Sequence, residues 1–144
     1  MTGTSAVVFN AELRGFDGIT RQVAVRSDQT LVDLHAALQA AFGWADDHLY
    51  SFWLSDHVFD DEAREYTSPV DAEPGMTTAD VSLAELALGP GQPLSYLFDF
   101  GDHWEVGLTV GALTPADDEP YPKVLEATGE APPQYADADD EFEE

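Results

Sequence analysis

Tyr96-Leu97-Phe98-Asp99-Phe100-Gly101-Asp102-His103-Trp104-Glu105-Val106-Gly107-Leu108-Thr109-Val110 is the stretch that decides the fold. Tyr96, Phe98 and Phe100 alternate with Leu97 and Asp99, and Trp104, Val106, Leu108 and Val110 alternate with Glu105, Gly107 and Thr109. Period-two patterning on both sides of Gly101-Asp102-His103 predicts two strands joined by a turn, each with one face in a core. A two-residue turn would set aromatics against charges. A three-residue turn pairs Phe100 with Trp104, Phe98 with Val106 and Tyr96 with Leu108, which keeps the apolar side chains on one face. Asp99 then faces Glu105, a like-charge pair that calls for solvent, a shared proton or a cation.

Upstream, Val7 to Arg14 reads as a strand, Gly15-Phe16-Asp17-Gly18 as a turn and Ile19 to Arg26 as the returning strand. Thr30 opens the clearest helix. Its hydroxyl can cap free backbone donors with Asp33 three residues on, Leu31, Leu34, Leu38, Ala41 and Phe42 make an apolar stripe, and Gly43 stops it. Trp44 is placed to fold back over the last turn, and His35 sits at the edge of the stripe as a boundary residue. Leu49 to Leu54 reads as a strand, turned by Ser55-Asp56-His57 into a short partner at Val58-Phe59. Residues 60–80 show little periodicity, Val81 to Leu86 suggests a short helix, and Gly89-Pro90-Gly91 delivers the chain to the hairpin.

This order predicts an α+β fold, a mixed β-sheet built from hairpins with one main helix packed on a face. A first hairpin followed by a helix and further strands is also the order of β-grasp (ubiquitin-like) sheets. The expected organisation is a domain over 1–111 and an acidic, Pro-containing C-terminal segment over 112–144, partly docked at Tyr121 to Leu125 and then disordered.

Twenty-nine acidic residues stand against five basic ones, a formal net charge of −24. Such a surface repels phosphate backbones and disfavours direct nucleic-acid binding. It suits a basic protein partner or mimicry of DNA's own charge, and it also serves solubility or life in a salty cytoplasm. The absence of cysteine excludes thiolate chemistry and Cys-based zinc sites. No apolar run spans a membrane, and Met1 to Ala6 lacks the basic start and apolar run of a signal peptide, so a cytoplasmic protein is expected. No nucleophile elbow, phosphate loop or dinucleotide fingerprint is present.

The candidate polar site is therefore Asp99, Asp102, His103 and Glu105 on the hairpin, weak candidates for a divalent cation. Asp46, Asp47 and His48 supply a second set of hard and borderline ligand types. With Asp99, Asp102 and Trp104 they make up the expected functional surface. No catalytic residue and no organic cofactor is assigned. The expected role is a non-catalytic binding or adaptor module, with a metal-dependent site or enzyme on the hairpin and an acidic DNA mimic as alternatives.

Three segments together resemble the plasmid pRiA4b ORF-3-like family, a domain of unknown function. They are Thr30 to His35, Ala41 to Leu49, and Tyr96 to Trp104 with its Asp-Phe-Gly-Asp-x-Trp core. The resemblance covers roughly residues 7–111 and extends weakly to Ala131-Pro132-Pro133. It implies a histidine two residues after the hairpin tryptophan, where this chain carries Val106. Any site built on that histidine is not carried over.

Overall fold

The computed structural model describes residues 5–44, 49–69, 77–99, 104–117 and 120–130. Seven strands form one sheet: β1 (Ser5–Leu13), β2 (Thr20–Arg26), β3 (Tyr50–Trp53), β4 (Glu65–Thr67), β5 (Pro93–Phe98), β6 (Trp104–Pro115) and β7 (Lys123–Thr128). Two helices, α1 (Leu31–Phe42) and α2 (Leu83–Leu86), complete the α+β architecture. The strand order is β4-β3-β5-β6-β1-β2-β7.

All six strand pairings are antiparallel, and the parallel element among the described residues is an isolated bridge between Thr67 and Thr78. The expected mixed sheet is thus corrected to an antiparallel one. The β5–β6 hairpin reverses the chain before β6 runs along β1, so no parallel pair forms there. The short partner expected at Val58-Phe59 is also displaced. Phe59 has φ 58, a left-handed backbone that suits a turn, and β3 pairs instead with β4.

The hairpin keeps the expected face but not the expected register. Phe98 pairs with Trp104, Tyr96 with Val106 and Leu94 with Leu108. Asp99 leaves the ladder in the left-handed region at φ 65, and its N–H donates to Leu49 O on the β3 side at 3.0 Å. Pairing with β6 stops at Phe98. The alternation survives because the register moves by a whole period, which preserves which side chains face the core.

Thr30 caps α1 as expected, accepting from the N–H groups of Val32 and Asp33 while the Asp33 carboxylate accepts from the Thr30 N–H. Leu31, Leu34, Leu38 and Phe42 bury against Phe9, Val23, Val25, Phe52, Tyr96 and Val106. Gly43 ends the helix in the left-handed region, and Trp44 folds back to stack on Phe42 with ring centroids 5.0 Å apart. β6 runs on through the boundary expected at 111 to Pro115, and residues 123–128 supply the edge strand β7.

Buried Arg21 locks helix, sheet and β7 together. No basic residue lies in the last turn of α1. Arg21 reaches there from β2 instead: its Nε donates to Ala41 O at 2.8 Å, and its Nη1 donates to Thr128 O at 2.8 Å and to Thr20 O at 2.7 Å. The guanidinium also lies 5.1 Å from the centroid of the Phe42 ring. A cation at this end satisfies a carbonyl the helix leaves open and opposes the negative pole of its dipole. Arg21→Ala should therefore destabilise the fold by about 2–4 kcal/mol, read as a lower urea midpoint. Arg21→Lys should recover only part of that loss, since one ammonium cannot reproduce the fork.

Candidate functional site

The helix covers one face of the sheet, and the opposite face divides into a covered half and an open half. Along β3 and β5 the outward side chains are Ser51, Trp53, Ser95 and Leu97, all buried. The chain that follows β3 lies over them. Phe59 packs on Trp53 with centroids 5.0 Å apart, and Ser95 Oγ donates to Ser55 O at 2.9 Å. Arg14, just past β1, fastens this cover. Its Nη2 donates to Asp56 O at 2.8 Å and to Ser95 Oγ at 3.0 Å, and its Nη1 lies 3.4 Å from Glu105 Oε1. The guanidinium passes directly over Gly107, where a Cβ would stand 2.9 Å from Arg14 Nε.

Beyond Arg14 the outward face of β6, β1, β2 and β7 is open and polar. The ladder aligns Gly107, Glu12, Thr20 and Thr128 as one row across the four strands. Thr109, Asn10, Gln22 and Glu126 form the next. Gln22 Nε2 donates to Asn10 Oδ1 at 3.0 Å within that second row. Two glycines on β6 admit neighbouring side chains: Gly107 lies beneath Arg14, and Gly111, where a Cβ would stand 3.1 Å from the Asn10 side-chain nitrogen, lies beside Asn10. This open face carries a trough of about 460 Å³, closed at one end by Arg14, Asp56 and Pro93.

Of the site residues predicted from sequence, the structure describes Asp99, Trp104 and Glu105. Asp46, Asp47, His48, Asp102 and His103 lie outside the described residues. Asp99 is buried at 7% exposure, and Leu97 rather than Asp99 stands opposite Glu105. The predicted face-to-face carboxylate pair is therefore absent, because the hairpin register is displaced. Glu105 instead pairs with Arg14. Trp104 is half-buried between Phe16 and Trp44, at 6.0 and 5.6 Å between centroids. Among the described residues no three His, Asp or Glu side chains gather closely enough to hold a metal ion.

His35, expected at a boundary, is buried at 3% exposure. Its ring stacks on Tyr50 at 3.7 Å, and its Nδ1 lies 2.7 Å from the Tyr96 hydroxyl, which also accepts from Gln39 Nε2 at 2.8 Å. The trough and Arg14 were missed by sequence reasoning. Their signal was the pair of glycines on the polar face of a strong strand, which marks a close approach of another group.

Comparison with known proteins places these features in a family. The sequence pattern of the plasmid pRiA4b ORF-3-like protein family matches residues 5–144. The chain belongs to that family. It is 37% identical over 118 residues to the uncharacterized protein y4hQ of Sinorhizobium fredii, a match spanning 81% of this chain and 58% of that protein's length. The crystal structure of MM3350 from Methanosarcina mazei Go1, a protein of unknown function, shares the fold at a TM-score of 0.77 and 21% identity. It covers 92% of this chain and 74% of its own. For this member of the pRiA4b ORF-3-like family, therefore, the trough must be read from its own chemistry.

Two measurements test the geometry around it. Asp60 accepts from the Ser55 hydroxyl and, secondly, from the Glu62 N–H, and these bonds hold its carboxylate below the usual range. A lowered pKa means the stabilisation is present above the ordinary carboxylate value of about 3.9 and is lost as pH falls through the lowered one. The Glu62 amide resonance should follow that titration, and Asp60→Asn should flatten it. Gly107→Ala should swing the flexible Arg14 guanidinium off the strand at a cost of about 1–2 kcal/mol. Resonances of Ser55, Asp56 and Ser95 should then move while those of Leu34 and Leu38 stay.

Proposed function

We propose that the protein is a small cytoplasmic, non-catalytic binding or adaptor module whose acidic surface meets a basic partner. The observation that carries this reading is what becomes of its cations. Arg14 and Arg21 are spent on the covered sheet face and the helix end, Arg26 pairs with Asp28 at 3.0 Å, and Lys123 pairs with Asp117 at 3.4 Å. Four of the five basic side chains are thus engaged within the chain, leaving the acidic excess, a formal net charge of −24, to set the outer field. Such a field accelerates encounter with a cationic protein and repels nucleic acid. The β-grasp kinship is retained as part of this proposal at the level of fold, supported by the initial hairpin and following helix.

Affinity purification at about 0.1 M and about 0.5 M salt tests the reading, because exposed charges are screened over a few Å at the higher value. A basic partner held at the lower salt and released at the higher supports it. A salt-insensitive complex, or no partner at either salt, counts against it. Two alternatives have their own readouts. A divalent ion that alone raises Tm, with the effect lost in Asp99→Asn, would replace the binding reading with a metal site on the hairpin. Competition with DNA for a basic DNA-binding protein would instead mark a mimic.

A further inference from the structure

We infer that the trough on the outward face of β6, β1, β2 and β7 is the docking site for an extended segment carrying lysine or arginine side chains. This inference rests on the binding-module reading above and names the place and the chemistry of contact. The first support is charge. Exposed Glu12, Glu126 and Asp56 stand around the trough, and its two cations are already engaged, Arg14 by Glu105, Asp56 O and Ser95, and Arg21 by backbone carbonyls from beneath. No lysine lines it. A cationic side chain entering it meets carboxylates, and an anionic one meets repulsion.

The second support is shape. The trough crosses four adjacent strands, and three inter-strand spacings of about 4.8 Å give it a span of about 14 Å. An extended peptide advances about 3.3 Å per residue, so four to five residues fill that length. Gly107 is covered by the Arg14 guanidinium, so the open length lies over β1, β2 and β7 and the Thr109 end of β6. The side-chain amides of Asn10 and Gln22 and the hydroxyls of Thr20, Thr109 and Thr128 offer donors and acceptors to a peptide main chain. The two rows also place their carboxylates on different strands, Glu12 on β1 and Glu126 on β7. Cationic side chains near the middle and near one end of the segment would each find one.

The probe is a capped Lys-Thr-Lys-Thr-Lys peptide titrated into the full chain at about 0.05 M salt, where exposed charges are weakly screened. Shifts of the Asn10 and Gln22 side-chain amides and the Gly107 backbone amide report the site. The Glu12→Gln/Glu126→Gln double variant removes both carboxylates and should weaken binding about five- to tenfold. Glu62→Gln/Glu85→Gln removes equal charge from exposed positions outside the trough and should change affinity less than about twofold by loss of the general field alone. Localised shifts with this unequal loss establish the docking site. Binding that perturbs other surfaces, or that both double variants weaken equally, overturns the trough and leaves the acidic binding module standing. No binding to the native chain overturns both.

Discussion

Two consecutive side chains of β5 hold the sheet to what covers it on either side. Tyr96 points inward, and its hydroxyl meets His35 and Gln39 of the helix; Ser95 points outward, and its hydroxyl donates to Ser55 and accepts from Arg14. Each is fully buried, so each bond is made away from water, where an unmet polar group costs about 1–3 kcal/mol. These bonds make the strand's register matter. Slipping it by one residue would present a tyrosine to the outer cover and a serine to the helix, with neither bond available.

From that strand the rest of the architecture follows in opposite directions. Inward, α1 crosses toward β2, where Arg21 closes its last turn and reaches Thr128. Outward, the turn after β3 stops at Arg14, and the sheet beyond is bare. The boundary between covered and open halves is thus set by one guanidinium resting over one glycine. The trough exists because the cover ends there, and its polarity exists because β1, β2, β6 and β7 face water on that side. Alternation of apolar and polar side chains along β1 and β6 serves both purposes at once.

Much of this was legible in the amino-acid sequence, for reasons that differ by element. Thr30, Asp33 and Gly43 announce α1 because caps and stops are local chemistry. The even-numbered residues of β5 and β6 announce the buried face because side-chain alternation is a property of any strand. The exact pairing was not legible, since Phe98 opposite Trp104 and Phe98 opposite Val106 bury the same faces equally well. The choice fell to Asp99, whose N–H is drawn to Leu49, the residue before β3. Nothing in the local sequence separates Arg14 from Arg21, each beside the first turn. Only the tertiary arrangement shows one fastening the outer cover and the other sealing a helix end. The expected facing of Asp99 and Glu105 relied on the register, and it was lost when the register moved.

The pairing of β1 with β6 carries a consequence for how the molecule comes into being. Leu13 meets Val106 and Ser5 meets Pro115, so the middle of the sheet joins the two distant parts of the chain. During synthesis β1 and β2 can form their hairpin early, yet one edge of β1 waits for a strand still to be made. Contacts this remote in sequence require a large loop to close before they reward it, which places the chain among slower folders of its size. Until then the edge of β1, with Val7, Phe9 and Ala11 beside it, is an open template for unwanted strand pairing. Seventeen acidic residues against four basic ones precede β6, and like charge of that excess opposes pairing between unfinished copies.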